Sequence, residues 1–409
     1  YEPRENDAVN GPWMCDSGRL NYKWIGSEHR LSQVQGASGW ATAITEISGK
    51  LEEAAPGSVA IIGGARQTNE ELYLLKRLAD KLEAITDSVP RTGKGDRLLS
   101  HTDKNPNSTG SKLIGITNID ISKVAFDSRE IIASSLFVAI EGTQHNGHDY
   151  ISQAIKKGAT AIVLKELPEN IDDKVTYIQV HNSTSALGII ASNFYGNPSK
   201  KIKVVGVTGT NGKTTIVSLL NHLFSMLNVK SGMLSTIENR IAGKVIPSTH
   251  TTPDAIQINY LLNQMVDQGC EYCFMEVSSH AIIQERISAV YFDAAVFTNI
   301  TQDHLDYHNS FSEYIQAKKQ FFDSLSKSAF ALTNKDDRNG MKMLEGTKAS
   351  KHTYSLKSVS NYKCRVLEYQ FQGMLLNINN IDVWVKLIGE FNAYNMLAVY
   401  SVASLFGFA

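Results

Sequence analysis

The stretch best suited to chemistry is Gly206 to Thr215, which reads Gly-Val-Thr-Gly-Thr-Asn-Gly-Lys-Thr-Thr. It follows an apolar run, Ile202 to Val207, that predicts a buried strand, and it opens a segment with apolar residues at helical spacing. Glycines in such a turn let backbone N–H groups approach phosphate oxygens, and the start of a helix adds partial positive charge. In this pattern Lys213 reaches the β- and γ-phosphates of a nucleotide, and the Thr214 hydroxyl binds Mg²⁺. The stretch therefore predicts a polyphosphate site, with an ordinary strand-to-helix turn as the structural alternative.

Polar side chains also follow several predicted strands further along the chain. Residues 201–409 repeat strand and helix signals, which predicts a doubly wound, mostly parallel sheet whose ligands bind at the carboxyl ends of its strands. Three polar stretches stand at such ends. They are His250-Thr251-Thr252-Pro253-Asp254, Met275-Glu276-Val277-Ser278-Ser279-His280 with Gln284 and Arg286 beyond it, and Thr298-Asn299-Ile300-Thr301-Gln302-Asp303-His304-Leu305-Asp306-Tyr307-His308.

Three residues in these stretches have a defined chemical use. Glu276 is a hard oxygen ligand suited to Mg²⁺ beside Thr214. His304 is a further possible ligand, although nitrogen on Mg²⁺ is unusual. Arg286 offers a bidentate fork for a carboxylate or a phosphate. Taken alone, Arg286 is a solvated charge and His304 a capping or core histidine, but their occurrence with a phosphate loop favours a site.

The bulk composition excludes several classes of protein. The chain has 409 residues, enough for two or three domains, with 42% hydrophobic and 20% charged residues. A formal net charge of −1 indicates no global preference for nucleic acid or anionic membranes. No apolar stretch reaches the roughly 18 residues of a transmembrane helix, and no secretory leader is evident. Four cysteines fit a reducing cytoplasm, and the Cys270/Cys273 pair is predicted to pack in a strand rather than bind zinc.

A second module is predicted upstream, over residues 112–200. Strand signals at Ile119 to Phe126, Ser135 to Ile140 and Ala159 to Leu164 alternate with a helix signal at Tyr150 to Lys157. This alternation predicts a small α/β domain. The first two strands are followed by Asp127-Ser128-Arg129 and by Glu141-Gly142-Thr143-Gln144-His145-Asn146-Gly147.

Together these motifs resemble the Mur ligase family. The phosphate loop is shortened, with Val207 where the common pattern has glycine, as in Mur ligases and folylpolyglutamate synthetases. The Asp-Ser-Arg and Gly-Thr-Gln motifs resemble the uridine-nucleotide domain of the Mur ligases that add the third residue of the peptide. The resemblance implies a UDP-precursor-binding domain over residues 112–200 and a central ATP-binding domain over 201–409. It also implies that the C-terminal ligase domain of the family is absent, so that the chain is incomplete for turnover.

The resemblance assigns roles residue by residue. It implies that Lys318 is carbamylated and binds a second Mg²⁺, and that the other metal ligands are Thr214, Glu276 and His304. The expected catalytic residues are Lys213, Glu276, His304 and Lys318. The residues implied to bind ATP are Gly209, Thr210, Asn211, Gly212, Lys213, Thr214, Thr215, Asn299 and Asn395. The last of these ends the family-like motif Gly389-Glu390-Phe391-Asn392-Ala393-Tyr394-Asn395. The residues implied to bind the substrate are Phe126, Ser128, Thr143, Gln144, His145, His250, Thr251, Thr252, Ser278, Gln284 and Arg286.

The implied reaction is ATP-dependent amide formation in peptidoglycan precursor synthesis. ATP phosphorylates the D-Glu carboxylate of UDP-MurNAc-L-Ala-D-Glu, and a diamino acid, expected to be meso-diaminopimelate, attacks the acyl phosphate. The expected protein is a cytoplasmic monomer without nucleic-acid or membrane partners. Alternatives are a folylpolyglutamate-type ligase, a non-catalytic nucleotide- and UDP-precursor-binding module, and a metal-dependent hydrolase built on Asp303, His304, Asp306 and His308.

Residues 1–111 have a different character. Ser58 to Gly64 predicts a strand, Asn69 to Leu82 an amphipathic helix, and Pro90 to Ser111 a linker. The stretches Asn10-Gly11-Pro12-Trp13-Met14-Cys15-Asp16-Ser17-Gly18-Arg19-Leu20 and Ile61-Ile62-Gly63-Gly64-Ala65-Arg66-Gln67-Thr68-Asn69-Glu70-Glu71 resemble the large iron–sulfur subunit of NADH:quinone oxidoreductase. In that family the residue matching Cys15 is one of four cluster ligands, and one thiolate cannot hold a cluster. We therefore expect an unrelated α/β fragment without an iron–sulfur cluster.

Overall fold

The structure is a computed structural model, and its chain divides into two compact units at residues 120 and 121. The residues that the structure describes are 39–54, 58–63, 69–88, 121–142, 145–172, 174–248, 250–301 and 310–408.

The first unit contains two helices and two strands. They are α1 (Trp40–Glu52), β1 (Ala60–Gly63), α2 (Asn69–Lys81) and β2 (Ile85–Ser88). The strands pair in parallel, and Leu72 and Ala79 of α2 are buried. The strand predicted over 58–64 and the helix predicted over 69–82 are both present with slightly narrower bounds. Cys15 and the predicted linker over 90–111 lie outside the described residues.

The second unit begins with a four-stranded parallel sheet in the order β3-β4-β5-β6. Its elements are β3 (Lys123–Ala125), β4 (Ser135–Val138), α3 (Ile151–Lys156), β5 (Ala159–Leu164), β6 (Thr176–Gln179) and α4 (Ser183–Phe194). Side chains alternate along β4, so Phe137 packs with Ile151 of α3 on one face and Leu136 packs with Leu187 of α4 on the other. The small α/β module predicted from the alternating strand and helix signals is therefore present.

An eleven-stranded sheet follows, in the order β10-β9-β8-β11-β7-β12-β13-β14-β15-β16-β17. Its strands are β7 (Lys203–Thr208), β8 (Ser231–Leu234), β9 (Glu238–Ile241), β10 (Lys244–Pro247), β11 (Tyr272–Glu276), β12 (Ala294–Phe297), β13 (Phe330–Asn334), β14 (Ser350–Ser355), β15 (Tyr362–Gln370), β16 (Gly373–Ile378) and β17 (Ile381–Val385). The pairings from β8 to β15 are parallel, and those at both ends are antiparallel.

Helices cover both faces of this sheet. They are α5 (Lys213–Met226), α6 (Ala255–Asp267), α7 (Ser279–Ile283), α8 (Phe311–Asp323), α9 (Gly340–Leu344) and α10 (Glu390–Leu405). Val205 of β7 belongs to the apolar layer that contains α5 and α10, whereas Val204 belongs to the layer that contains α6 and α8. The predicted doubly wound, mostly parallel architecture is confirmed.

The antiparallel ends of the large sheet were not predicted. The β9–β10 hairpin and the β15–β17 ribbon carry many exposed residues, so their strands lack the apolar runs that identify buried parallel strands.

Cys273 is buried in β11, and Cys270 is buried just before it. Across the parts of the chain that the structure describes, no helix combines the length and apolarity needed to cross a bilayer.

Candidate functional site

The phosphate loop joins β7 to α5, and two of its glycines have a positive φ. Gly209 has a φ of 153° and Gly212 a φ of 89°. A Cβ at Gly209 would lie 1.9 Å from Thr298 Oγ1, and one at Gly212 would lie 2.5 Å from Asn395 Oδ1. Glycine is therefore required at both positions by backbone conformation and by space.

Lys213 is the first residue of α5, and its side chain folds back over the loop. Its Nζ donates hydrogen bonds to Gly209 O and Thr210 O, each at 2.9 Å. The ammonium group thus lies against two backbone carbonyls of the turn. This arrangement keeps a cation beside the space that a phosphate chain would fill.

Asn299, beyond the end of β12, braces the same loop. Its Oδ1 accepts from Asn211 N at 3.0 Å, its Nδ2 donates to Asn211 O at 3.1 Å, and its backbone O accepts from Thr210 N at 2.8 Å. The side chain predicted to bind ATP therefore also fixes the loop backbone.

Glu276 is brought to the loop by strand register. It ends β11 directly opposite Val207 of β7 and is 1% exposed. Its Oε1 accepts from Thr214 Oγ1 and from Thr236 N, both at 2.8 Å, and its Oε2 accepts from Thr236 Oγ1 at 3.2 Å. A buried carboxylate beside a threonine hydroxyl is a set of hard oxygen donors that fits Mg²⁺. Thr236 was not predicted, because its loop after β8 carries no recognisable motif.

Lys318 lies on α8 and points at the phosphate loop. It is 1% exposed, and its Nζ contacts Gly209 O at 3.2 Å and Thr208 Oγ1 at 3.4 Å. The same atom lies 4.6 Å from the centroid of the Tyr314 ring. The adjacent Lys319 instead forms an ion pair with Asp323 on its own helix. Of the two lysines, only Lys318 contacts the phosphate loop in the described part of the chain.

His304, a predicted metal ligand, lies outside the described residues, as do Asp303, Asp306 and His308 of the hydrolase alternative. Among the residues that the structure does describe, no three His, Cys, Asp or Glu side chains come together as a metal cluster. Of the predicted metal ligands, the structure describes Thr214, Glu276 and Lys318, and it joins Thr214 to Glu276 by a hydrogen bond.

A cavity of about 670 Å³ opens beside the phosphate loop. It is lined by Asn211, Gly212 and Thr215 from the loop and by Asn395 from α10. Asn395 Nδ2 donates to Asn392 Oδ1 at 3.1 Å, and Asn392 Nδ2 donates to Ile388 O at 2.9 Å, which orients both amides. The volume lies within the range of about 300–1,000 Å³ that is usual for small-molecule sites.

Asp336, a residue that the sequence analysis missed, forms one wall of this cavity. Its two oxygens accept from the Ser355 and Ser358 hydroxyls, from the backbone N–H groups of Leu356 and Lys357, and from the Tyr394 hydroxyl. Burial alone would raise the pKa of Asp336, but these hydrogen bonds outweigh burial and lower it to about 2. Burial and the bond to Asp336 raise the pKa of Tyr394.

A second cavity, of about 530 Å³, lies against the four-stranded sheet. It is lined by the predicted residues Phe126, Ser128 and His145. Ser128 Oγ donates to Gln153 Oε1 at 2.9 Å. Asp127 pairs with Arg129, whose hydrogen bond lowers the pKa of that carboxyl. Thr143 and Gln144, predicted to belong here, lie outside the described residues.

A third cavity, of about 750 Å³, is lined by residues from the elements around both sheets. Phe126 and Asn182 line it from the four-stranded side, and His250, Gln284 and Arg286 from the other. Arg286 Nε and Nη2 donate to Gln284 Oε1 at 2.9 and 2.6 Å. The predicted substrate residues His250, Gln284 and Arg286 therefore share one cavity.

The remaining predicted substrate residues connect this cavity to Glu276. Arg286 Nη1 donates to Thr252 O at 2.8 Å, and Thr252 Oγ1 donates to Glu276 O at 2.8 Å. Ser278 N donates to Thr252 Oγ1 at 3.1 Å, and the Thr251 and Thr236 hydroxyl oxygens lie 3.1 Å apart, within hydrogen-bond distance. A hydrogen-bonded path therefore runs from a guanidinium in the third cavity to the phosphate loop.

Comparison with protein families places these features in a known context. The family described as "Mur ligase middle domain" matches residues 207–403. The family described as "Mur ligase family, catalytic domain" matches residues 120–195. Together these two matches span well over half of the chain.

Curated relatives carry the same relationship. The UDP-N-acetylmuramoyl-L-alanyl-D-glutamate–2,6-diaminopimelate ligase of Phocaeicola vulgatus is 52% identical over 299 residues, covering 73% of this chain and 62% of the relative. The ligase of the same name from Bacteroides fragilis is 52% identical over 296 residues, covering 72% of this chain and 61% of the relative. The chain thus spans about 60% of the length of the curated relatives it matches.

Solved structures show the same fold. A structure of UDP-N-acetylmuramoyl-L-alanyl-D-glutamate–2,6-diaminopimelate ligase superposes with a TM-score of 0.62 at 24% identity, over 77% of this chain and 63% of that one. The MurF ligase of Thermotoga maritima in complex with ADP superposes with a TM-score of 0.51 at 22% identity, over 70% of this chain and 64% of that one. Sequence and fold agree, and the chain belongs to the Mur ligase family.

Proposed function

We propose that residues 112–200 bind a UDP-linked precursor and that residues 201–409 bind ATP, as parts of a ligase that adds a diamino acid to UDP-MurNAc-L-Ala-D-Glu. Residues 1–111 take no part in this chemistry. The observation that carries the proposal is the hydrogen-bonded path from Arg286 through Thr252 and Glu276 to Thr214. It joins a group suited to a substrate carboxylate with a group suited to a nucleotide phosphate.

The first half-reaction transfers the γ-phosphoryl group of ATP to an oxygen of the D-Glu carboxylate, and ADP leaves. The phosphate loop and Lys213 hold the phosphate chain, and Lys213 offsets charge that develops on the phosphoryl oxygens. Arg286, oriented by Gln284, holds the carboxylate end of the precursor in line with the γ-phosphate. The precursor spans from the cavity at Ser128 to the cavity at Arg286.

The second half-reaction forms the amide. The amine nitrogen of the diamino acid, which we propose is meso-diaminopimelate, attacks the acyl carbon. The carbon–oxygen bond to the phosphoryl group breaks, phosphate leaves, and the amine releases a proton. The names of the curated relatives, which state diaminopimelate as the amino acid, support this choice.

Magnesium, when bound, neutralises phosphate charge and aligns the phosphate chain. We propose that Thr214 and Glu276 would hold it, with His304 as a further ligand. We propose that Lys318 is carbamylated, because a carbamate at its position supplies oxygens beside the loop for a second ion. Asn299 and Asn395 hold the nucleotide. We propose that the protein is a cytoplasmic monomer.

Titration calorimetry of this chain with ATP and with UDP-MurNAc-L-Ala-D-Glu tests the proposal. We expect the wild-type chain to bind both ligands saturably. The double variant Ser128→Ala/Arg286→Ala should lose affinity for the precursor and keep its affinity for ATP. A chain that bound ATP and a reduced folate but no UDP precursor would support the folylpolyglutamate-type alternative. Binding of neither ligand would overturn the proposal.

A further inference from the structure

Asn182 and Glu285 form a hydrogen bond between the elements of the two sheets. Asn182 precedes α4 of the four-stranded sheet, whereas Glu285 follows α7 of the eleven-stranded sheet. Asn182 Nδ2 donates to the two oxygens of Glu285 at 3.1 and 3.2 Å, across 103 residues of sequence. Both residues line the cavity of about 750 Å³ that also contains Gln284 and Arg286. Neither was predicted from sequence.

The two polar side-chain atoms of Asn182 make hydrogen bonds to different elements. Its Oδ1 accepts from Ser185 N at 3.0 Å and so caps the start of α4. Its Nδ2 is the atom that reaches Glu285. An aspartate at this position would therefore keep the cap, since a carboxylate oxygen also accepts from Ser185 N, but it could not donate to Glu285.

The backbone at Glu285 is in the left-handed region, with a φ of 52°. This conformation favours glycine, so a glutamate there is kept against a conformational cost. The turn also places the flanking side chains of Gln284 and Arg286 on the same side, where they hydrogen-bond to each other. The carboxylate of Glu285 thus anchors a strained turn whose neighbours form the guanidinium end of the cavity.

We propose that Asn182 and Glu285 are a positioning pair that sets the distance between the UDP-binding cavity and the Gln284–Arg286 pair. This inference rests on the proposed function, in which one ligand must reach both places. A ligand with two anchored ends binds best when the protein already holds its two subsites at the matching distance. Neither residue of the pair needs to touch the reacting atoms.

A reciprocal exchange of groups tests the pair. Asn182→Asp keeps the helix cap but places its carboxylate opposite that of Glu285. Two carboxylates repel and neither can donate a hydrogen bond, so the contact is lost. Glu285→Gln is the matched control, since its amide oxygen still accepts from Asn182. In the double variant Asn182→Asp/Glu285→Gln the donor and acceptor change places, because the glutamine Nε2 donates to the aspartate, and the contact is restored.

Two ligands measured by calorimetry separate positioning from general damage. We expect Asn182→Asp to weaken binding of UDP-MurNAc-L-Ala-D-Glu about tenfold, or about 1.4 kcal/mol, and the other two variants to bind within about twofold of wild type. UDP alone, which the proposed function assigns to the cavity at Ser128, should bind equally to all four proteins. Equal precursor affinities in all four proteins, or a loss of UDP affinity that parallels the loss of precursor affinity, would overturn the inference.

Amide hydrogen exchange without any ligand provides an independent test. We expect exchange in residues 284–286 to become faster in Asn182→Asp and to return to the wild-type rate in the double variant. Exchange that is unchanged in Asn182→Asp would overturn the positioning pair whatever the protein binds. Failure of the proposed function would appear differently, as a wild-type chain that binds no UDP precursor.

Discussion

Thr214 Oγ1 donates a hydrogen bond of 2.8 Å to Glu276 Oε1. The contact joins the first turn of α5 to the end of β11, two elements separated by 62 residues of sequence. Glu276 is 1% exposed, and a polar side chain so deeply buried requires hydrogen-bond partners. Thr236 supplies two further hydrogen bonds. The pair therefore places a buried carboxyl group next to the position that a nucleotide phosphate would occupy.

Glu276→Gln should remove most of the effect of Mg²⁺ on ATP binding. The variant keeps an oxygen that accepts from Thr214 but loses the charge that attracts the ion. Calorimetry with and without Mg²⁺ should show a strong increase of ATP affinity in the wild type and little in the variant. Thr214→Ser, which keeps the hydroxyl, is the matched control and should behave as wild type. An equal Mg²⁺ effect in Glu276→Gln and wild type would contradict this prediction.

Lys213→Ala should weaken ATP binding at least tenfold, or about 1.4 kcal/mol, because it removes the cation that faces the β- and γ-phosphates. AMP lacks both of these phosphates, so its affinity should be the same in variant and wild type. The measurement is calorimetry with both nucleotides, with a thermal melt to show that the variant is folded. Unchanged ATP affinity in Lys213→Ala would show that the phosphate-loop assignment is wrong.

Lys318→Ala should lower activity far more than the loss of an exposed charge would, because an exposed charge contributes only a few tenths of a kcal/mol. Lys319→Ala should change little, because Lys319 pairs with Asp323 on its own helix. The readout is steady-state turnover in a protein extended to the length of the curated relatives, with and without a short-chain carboxylic acid. The acid should partly restore Lys318→Ala by supplying oxygens in place of the carbamate.

A direct readout for the modification uses this chain and ¹³C-labelled bicarbonate. Wild type and Lys319→Ala should show a carbamate carbon signal in the NMR spectrum that Lys318→Ala lacks. Near-normal turnover of Lys318→Ala, or a signal that follows Lys319 instead, would reject the assignment.

Asp336→Asn should destabilise the folded protein by about 1–3 kcal/mol at pH 7, since it places an amide among groups that all donate. The pKa of Asp336 is lowered to about 2 in the folded state, below its value in the unfolded chain. Ionised Asp336 therefore stabilises the fold above about pH 4, and this contribution is lost as the pH falls toward 2.

Urea unfolding at several pH values checks this dependence. The difference in unfolding free energy between wild type and Asp336→Asn should be constant from pH 8 to 5 and smaller at lower pH. Tyr394→Phe, which removes a single neutral donor to Asp336, should have a smaller effect. A difference between wild type and Asp336→Asn that does not change with pH would disprove the role of the Asp336 charge.

Deletion of residues 1–111 should leave binding of UDP-MurNAc-L-Ala-D-Glu unchanged, because none of the residues assigned to this ligand lies in that segment. Calorimetry on the folded deletion variant measures the effect. A large loss of affinity in a variant that still melts cooperatively would show that the segment takes part in binding.

The phosphate loop and the strand before it could be predicted, because consecutive residues determine both. The glycines, Lys213 and Thr214 are consecutive in the phosphate loop, and the apolar run before them identifies β7. Lys318 was identified by its match to the family, and the structure shows its Nζ at 3.2 Å from Gly209 O.

Residues that act through distant partners were not predicted. Asp336 contacts Tyr394 from 58 positions away, and Asn182 contacts Glu285 from 103 positions away. Each of these residues is an ordinary polar side chain at a turn when its sequence is considered alone. Their partners depend on strand order and on the packing of helices against the sheet, which a single sequence does not specify.

The order of the strands has a consequence for how the molecule forms. β7 lies between β11 and β12, so both of its neighbours are synthesised long after it. A nascent chain that has reached only α5 therefore exposes an apolar strand with two unpaired edges, and such edges favour aggregation. Pairing between distant segments is also intrinsically slow. We expect the phosphate loop to acquire its native shape only after residue 297 has left the ribosome, with early intermediates dependent on chaperones.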